Sequence, residues 1–130
     1  MLAYAYENTS PKHAAAANAL EKAIEEGTGV LSVQNLAEFC SFATEKLQLR
    51  IPHDQVRTIV LELSESMEVA TYDSRTVASA LSLSSIHKIH FFDALLAATM
   101  EKEGISEIMT ENERDFRKIP WLTVTNPFKK

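Results

Sequence analysis

The chain is poor in cysteine and glycine, and it has no long apolar run. Cys40 is alone among 130 residues, which excludes an internal disulfide and a cysteine-based zinc site. Three scattered glycines exclude a glycine-rich phosphate-binding loop. No stretch of 18 uninterrupted apolar residues is present, and the first residues lack the basic and apolar regions of a signal peptide. We therefore expect a cytoplasmic protein that does not enter a membrane.

Basic residues are also in the minority, and the formal net charge is −5. This balance argues against binding duplex DNA through a broad basic surface, but it is compatible with a small basic rim around an acidic centre. A hydrophobic content of 45% and a charged content of 24% are typical of a globular protein with a true core. The length predicts a single domain over residues 1–130.

Apolar periodicity switches repeatedly between the helical and the extended pattern along the chain. Helices are predicted over residues 11–26, 33–47, 52–63, 74–84 and 89–102, with one further turn at 112–118. Strands are predicted over residues 29–32, 67–71, 106–110 and 122–125. Strands that alternate with helices predict a three-layer α/β/α fold with a central parallel sheet.

Capping residues set the expected helix ends. Ser10 is the predicted N-cap of the first helix, with Pro11 at its first position and Gly27 after its end. Asp73 is placed to cap the helix that starts at residue 74. Cys40 falls on an apolar stripe, so we interpret it as core packing rather than as a reactive thiol.

Acidic side chains recur at positions where helices begin or strands end. Glu38 lies early in the second helix, Asp93 opens the helix 89–102, and Glu111 and Asp115 follow the strand 106–110. Such positions gather at the carboxyl edge of a parallel sheet, and oxygen ligands there favour Mg²⁺ or Mn²⁺. Each acid also has a simpler explanation: Asp93 suits the helix dipole, and Glu38 suits a solvated helix face.

Four segments occur in an order that resembles a known family: residues 31–39, 92–98, 109–112 and 124–128. Together they resemble PIN-domain proteins, closest to the toxin ribonucleases of VapC-type toxin–antitoxin pairs. The resemblance implies a PIN-like fold and cleavage of RNA with Mg²⁺ or Mn²⁺ by an acidic cluster, usually in a homodimer. It also implies an antitoxin protein as a partner.

The resemblance assigns roles residue by residue. Glu38 and Asp93 match two acids of the cluster, and Thr110 matches the small hydroxyl residue beside it. Asn112 stands where the family has its last acid, so that acid is replaced by an amide. The catalytic residues implied are Glu38, Asp93, Thr110 and Asn112. The metal ligands implied are Glu38, Asp93, Glu111 and Asp115, with weakened affinity.

The family's first strand and its first acid correspond to positions upstream of Met1. We therefore expect the natural chain to begin further upstream, with Met1 as an internal methionine. If the chain is complete, we expect a partner or a neighbouring copy to fill the gap, or the sheet to be rearranged.

Two functions stay open at this point. The first is a metal-dependent ribonuclease, with Lys88, Arg114 and Lys118 beside the site to engage RNA phosphates. The second is a catalytically impaired PIN-like domain that binds RNA or a protein partner without cleavage. For any one of the three basic residues, simple surface solubility is the simpler explanation. A flavodoxin-like binder of a small molecule lacks its phosphate loop here.

Overall fold

A computed structural model describes residues 2–7, 10–46 and 50–129. The fold is mixed α/β with short parallel strands, as predicted, and is consistent with a PIN-like α/β/α architecture. The α-helices in the described residues are α1 (His13–Glu26), α2 (Val33–Ser41), α3 (His53–Ser66), α4 (Ser74–His87), α5 (Phe91–Lys102) and α6 (Glu113–Phe116). The strands are β1 (Val30–Ser32), β2 (Glu68–Ala70), β3 (Glu107–Met109) and β4 (Thr123–Thr125).

The described residues up to Val69 form one compact unit, and those from Ala70 onward form a second. Strand β1 of the first unit pairs with β2, whose residues Glu68 and Val69 belong to that unit. The chain passes from β1 directly into α2 because Ser32 caps that helix: its hydroxyl accepts from the Asn35 N–H at 3.0 Å, and its own N–H donates to Asn35 Oδ1 at 3.1 Å. The predicted change of period at residue 33 is confirmed.

The core of the first unit is built from the inner faces of α2 and α3. Phe39, Ala43 and Val56 form one buried cluster, and Leu36, Leu63 and Met67 form a second. A residue with a side chain at position 29 would collide with Met67 and Ala23, so the approach to β1 requires glycine. Cys40 is half-buried against the first cluster, in keeping with the packing role predicted for it.

Two local features of the first unit differ from the predicted pattern. The first helix begins at His13, with Lys12 in the capping position, because the Ser10 hydroxyl accepts from the Lys12 N–H at 3.2 Å in a turn before it. The expected cap at Ser10 and helical start at Pro11 are therefore wrong by two residues. After α2 the chain continues as a π-helical turn, Phe42–Lys46, which the periodicity did not predict. The predicted end at Leu47 lies outside the described residues.

The second unit packs α5 against α4 and the β3–β4 pair. The two strands are parallel, with Glu107, Ile108 and Met109 opposite Thr123, Val124 and Thr125. Helix α5 is buried on nearly every side, at Ala94, Leu95, Ala97, Ala98, Thr99 and Met100. Its small residues let the neighbouring helix α4 approach closely. Ala80 of α4 is fully buried in the same core.

Asp73 caps α4, as the sequence predicted, and Thr76 completes a capping box. The Asp73 carboxylate accepts from the N–H groups of Arg75 and Thr76, and the Thr76 hydroxyl accepts from the Asp73 N–H. These hydrogen bonds to its ionised form lower the pKa of Asp73 below its usual value of 3.8. At the other end of α4, Lys88 takes a left-handed conformation with φ of 54°, which turns the chain toward α5.

No helix in the described ranges combines the length and the apolar character that a bilayer span requires.

Ile119 and Ile86 form a matched pair for testing the core of the second unit. Ile119 is 1% exposed, whereas Ile86 is 70% exposed. Ile119→Ala is expected to lower the free energy of unfolding by about 2–5 kcal/mol, because it leaves a cavity. Ile86→Ala is expected to change it by less than about 0.5 kcal/mol. Urea unfolding followed by circular dichroism measures both, and equal losses would contradict the burial described.

The Asp73 cap predicts a pH dependence of stability. A carboxyl group with a lowered pKa stabilises the folded state above its unfolded pKa, and this contribution is lost as the pH falls below 3.8 and through the folded pKa. Asp73→Asn keeps a good cap but not the charge. The wild type is therefore expected to melt at a higher temperature than Asp73→Asn at pH 6, and the gap is expected to narrow progressively as the pH falls below 3.8. A gap that is constant with pH would contradict the assignment.

Candidate functional site

Asp93 sits in the first turn of α5, where the helix enters the core of the second unit. The two residues after it, Ala94 and Leu95, are buried, while Asp93 itself is only half-buried. An acid in the first helical turn is favoured by the free N–H groups there. The apolar packing of α5 thus fixes the position of a carboxylate at the edge of the core.

The end of β3 brings a second group of polar residues to this place. The Thr110 N–H donates to the Thr125 carbonyl oxygen at 2.9 Å, which extends the strand pairing by one bond. The Thr110 hydroxyl then accepts from the Asn112 N–H at 3.1 Å. Thr110 therefore positions Asn112 through its backbone and its side chain together.

The side chain of Asn112 contacts two of the predicted acids, Asp93 and Asp115. Its side-chain nitrogen Nδ2 donates to Asp93 Oδ2 at 3.0 Å and lies 3.4 Å from Asp115 Oδ2. Its Oδ1 accepts from the Asp115 N–H at 3.5 Å, which caps α6. The structure thus brings together Asp93, Thr110, Asn112 and Asp115 among the residues predicted for the site.

Lys118 also contacts this group. Its ammonium Nζ lies 3.7 Å from Asp115 Oδ1 and donates to the Lys88 carbonyl oxygen at 3.2 Å. Lys118 therefore links α6 to the turn between α4 and α5. All three basic residues expected to flank the site, Lys88, Arg114 and Lys118, are exposed.

Glu113, next to Asn112, contacts three other side chains, and no role was predicted for it from the sequence. Its carboxylate contacts Lys129 at 2.6 Å and Arg117 at 2.8 Å, and it accepts from Asn126 at 3.2 Å. The hydrogen bond from Lys129, followed by those from Arg117 and Asn126, lowers the pKa of Glu113 to about 2. The Glu113–Arg117 spacing of four residues was the signal that could have indicated it.

The two remaining predicted ligands are placed differently. Glu38 lies on α2 in the first unit and is exposed. Glu111 is exposed on the bend between Thr110 and Asn112. In the part of the chain that the structure describes, no group of three or more histidine, cysteine, aspartate or glutamate side chains is arranged to hold a metal ion.

The donor chemistry of the second unit nevertheless suits a hard divalent ion. Mg²⁺ keeps several water ligands and needs only one or two carboxylates from the protein, together with phosphate oxygens of a substrate. Asp93 and Asp115 supply two carboxylates next to one nitrogen atom. Residues of this kind fit a weakly held, hydrated Mg²⁺ or Mn²⁺ rather than a closed structural site.

Comparison with known proteins gives one family. A family model described as PIN domain matches residues 1–122. The chain belongs to the PIN domain family. No curated protein gives a significant match.

Membership of the PIN domain family indicates a nuclease-type function. PIN domains generally use divalent metal ions, and PIN nucleases typically act on RNA. The match extends over both compact units of the described chain.

Proposed function

We propose that this PIN domain is an Mg²⁺- or Mn²⁺-dependent ribonuclease, the toxin of a toxin–antitoxin pair. The observation that carries the proposal is the contact of one side-chain nitrogen, Asn112 Nδ2, with the carboxylates of Asp93 and Asp115. Two carboxylates held together in the first turns of two helices can attract a divalent ion, and such an ion can promote cleavage of a phosphodiester bond.

We propose roles for the side chains as follows. The metal ligands are Glu38, Asp93, Glu111 and Asp115. A bound divalent ion supplies a water nucleophile at neutral pH and offsets negative charge on the phosphodiester. Asp93 and Asp115 contribute the oxygens that attract the ion.

The neighbouring polar residues orient those carboxylates. Thr110 holds the backbone of Asn112, and Asn112 fixes both carboxylates by hydrogen bonds. Lys88 and Arg114, both exposed, contact phosphates on either side of the scissile bond. Lys118 is engaged with Asp115 and the Lys88 carbonyl, so its role is internal rather than on the substrate.

A second function is favoured by the same amide. Asn112 occupies the place that a further carboxylate has in the family pattern, so the site carries less negative charge to attract a divalent ion. The alternative is therefore a PIN-like domain that binds RNA or a protein partner without cleaving RNA.

Cleavage of single-stranded RNA separates the two functions. The purified protein is expected to cut RNA with Mn²⁺ or Mg²⁺ and to be inactive in EDTA. Asp93→Asn and Glu38→Gln are each expected to lower the rate by about 100-fold or more, since each loses a charge at the reacting centre. Gel analysis of labelled RNA measures the rates.

The matched control for these variants is Asp54→Asn, which alters an exposed acid in the first turn of α3. It is expected to cleave at the wild-type rate. RNA that is bound but not cut in Mn²⁺ would favour the alternative function. A rate that survives Asp93→Asn would contradict the proposed site.

We also propose that the protein forms a homodimer and is covered by an antitoxin encoded in the adjoining reading frame. Helix α4 supports self-association. It exposes Val77 and Leu81, which lie one turn apart on the same side of the helix, and Arg75 is its only Lys, Arg, Asp or Glu residue. Two copies can place such a face against itself without like-charge repulsion.

Leu81→Glu tests the homodimer. Leu81 is 65% exposed, so the change leaves the core intact, but it sets two glutamates near each other across a two-fold interface. We expect self-association to weaken by about 100-fold or more, with an unchanged circular dichroism spectrum of the folded protein. Light scattering coupled to size-exclusion chromatography measures the mass. Leu61→Glu on α3 is the control, and an identical mass for all three proteins would contradict an α4 interface.

A further inference from the structure

We infer that Asn112 and Lys118 are positioning residues that hold Asp93 and Asp115 together without a metal, and that a metal ion must displace their nitrogen atoms. This inference rests on the proposed metal-dependent function. It differs from the simple expectation that Asn112 is a weak metal ligand in place of an acid, because it makes Asn112 a competitor of the ion.

The two oxygens of Asp115 are divided between the two nitrogen donors. Oδ2 faces the Asn112 amide at 3.4 Å, and Oδ1 faces the Lys118 ammonium at 3.7 Å. The same amide donates to Asp93 at 3.0 Å. Two negatively charged carboxylates close to each other repel, and N–H donors between them offset that repulsion. The acid pair is thus stabilised by the protein itself.

The Asn112 amide cannot simply rotate to offer its oxygen to a metal. Oδ1 accepts from the Asp115 N–H and caps α6, while Nδ2 faces the two carboxylates. A half-turn of the amide would set Nδ2 against the Asp115 N–H and Oδ1 against two carboxylates. Both new contacts are repulsive, so the observed orientation is fixed at both ends.

The distances show that a metal ion and the Asn112 amide nitrogen cannot both lie between Asp93 Oδ2 and Asp115 Oδ2. Mg²⁺ holds its oxygen ligands at about 2.0–2.1 Å. The nitrogen lies 3.0 and 3.4 Å from the two carboxylate oxygens. An ion that bridges Asp93 Oδ2 and Asp115 Oδ2 therefore requires the amide to leave and the carboxylates to move inward. Binding of an ion between these two oxygens and the hydrogen bonds of Asn112 to them are mutually exclusive.

Lys118 maintains the arrangement from the other side. Its bond to the Lys88 carbonyl fixes the ammonium to the turn that leads into α5, the helix that carries Asp93. Its side chain is 37% exposed, whereas that of Asp115 is 16% exposed. The ammonium thus ties Asp115 to the turn that precedes the helix carrying Asp93.

Titration with Mn²⁺ tests the inference on the full chain, with binding measured by electron paramagnetic resonance. Asn112→Ser retains an oxygen that caps α6 but removes the amide N–H groups. It is expected to tighten Mn²⁺ binding several-fold because no N–H donor then competes for the carboxylates, and Asn112→Asp by about tenfold or more because it also adds a negative charge. Lys118→Met is expected to tighten binding as well. Arg117→Met, which loses only a contact to Glu113, is the control and should leave Mn²⁺ affinity unchanged.

Melting temperatures supply an independent readout. In EDTA, Asn112→Asp is expected to melt below the wild type, because three carboxylates then repel one another, and Mn²⁺ is expected to reverse the order. Weaker or unchanged Mn²⁺ binding by Asn112→Ser would overturn the inference, since it would make Asn112 a ligand or a bystander. Absence of Mn²⁺ binding in every variant would overturn it too.

The RNA cleavage assay separates this inference from the proposed function. Mn²⁺-dependent cleavage by the wild type, without tighter binding in Asn112→Ser, would remove the inference and leave the ribonuclease. Tighter binding in Asn112→Ser without cleavage by any variant would support the inference and remove the ribonuclease.

Discussion

One amide group organises the candidate site of this protein. Asn112 receives the N–H of Asp115 on its oxygen and directs its nitrogen to Asp93 and Asp115. This orientation caps α6 and sets the spacing of the two acids. Thr110, at the end of β3, holds the backbone of Asn112 in place. A polar network with partners at every end is rigid, whereas one with a missing partner destabilises the fold.

The rest of the second unit delivers the acids to this amide. Parallel pairing of β3 with β4 ends at Thr110, and the buried face of α5 fixes where that helix begins. Small residues in α5 and α4 allow close helix packing, so the position of Asp93 follows from the core and not from its own surroundings. The family match covers this unit and the first one alike.

The helix boundaries show what a sequence can predict. Capping residues act on N–H and carbonyl groups a few residues away, and the helix ends predicted at Asp73 and Gly27 are found in the structure. Ser32 caps α2 at the predicted change of period. Ser10 failed as a cap because its hydroxyl serves a preceding turn instead. The π-helical turn after α2 was not predicted from the periodicity, and Ala43 within it is buried in the first cluster.

The sequence by itself determined the α/β class, the family and the residue types that a metal-dependent site would need. Those follow from periodicity, capping and motif order, which are local properties. Only the tertiary structure decided that Asp115 meets the Asn112 amide, and that Lys118 is held by a carbonyl 30 residues away. Asn112 and Asp93 are 19 residues apart, and their contact exists because a helix start and a strand end converge. No pattern along the chain encodes which nitrogen a carboxylate will face, because that is set by how the core packs.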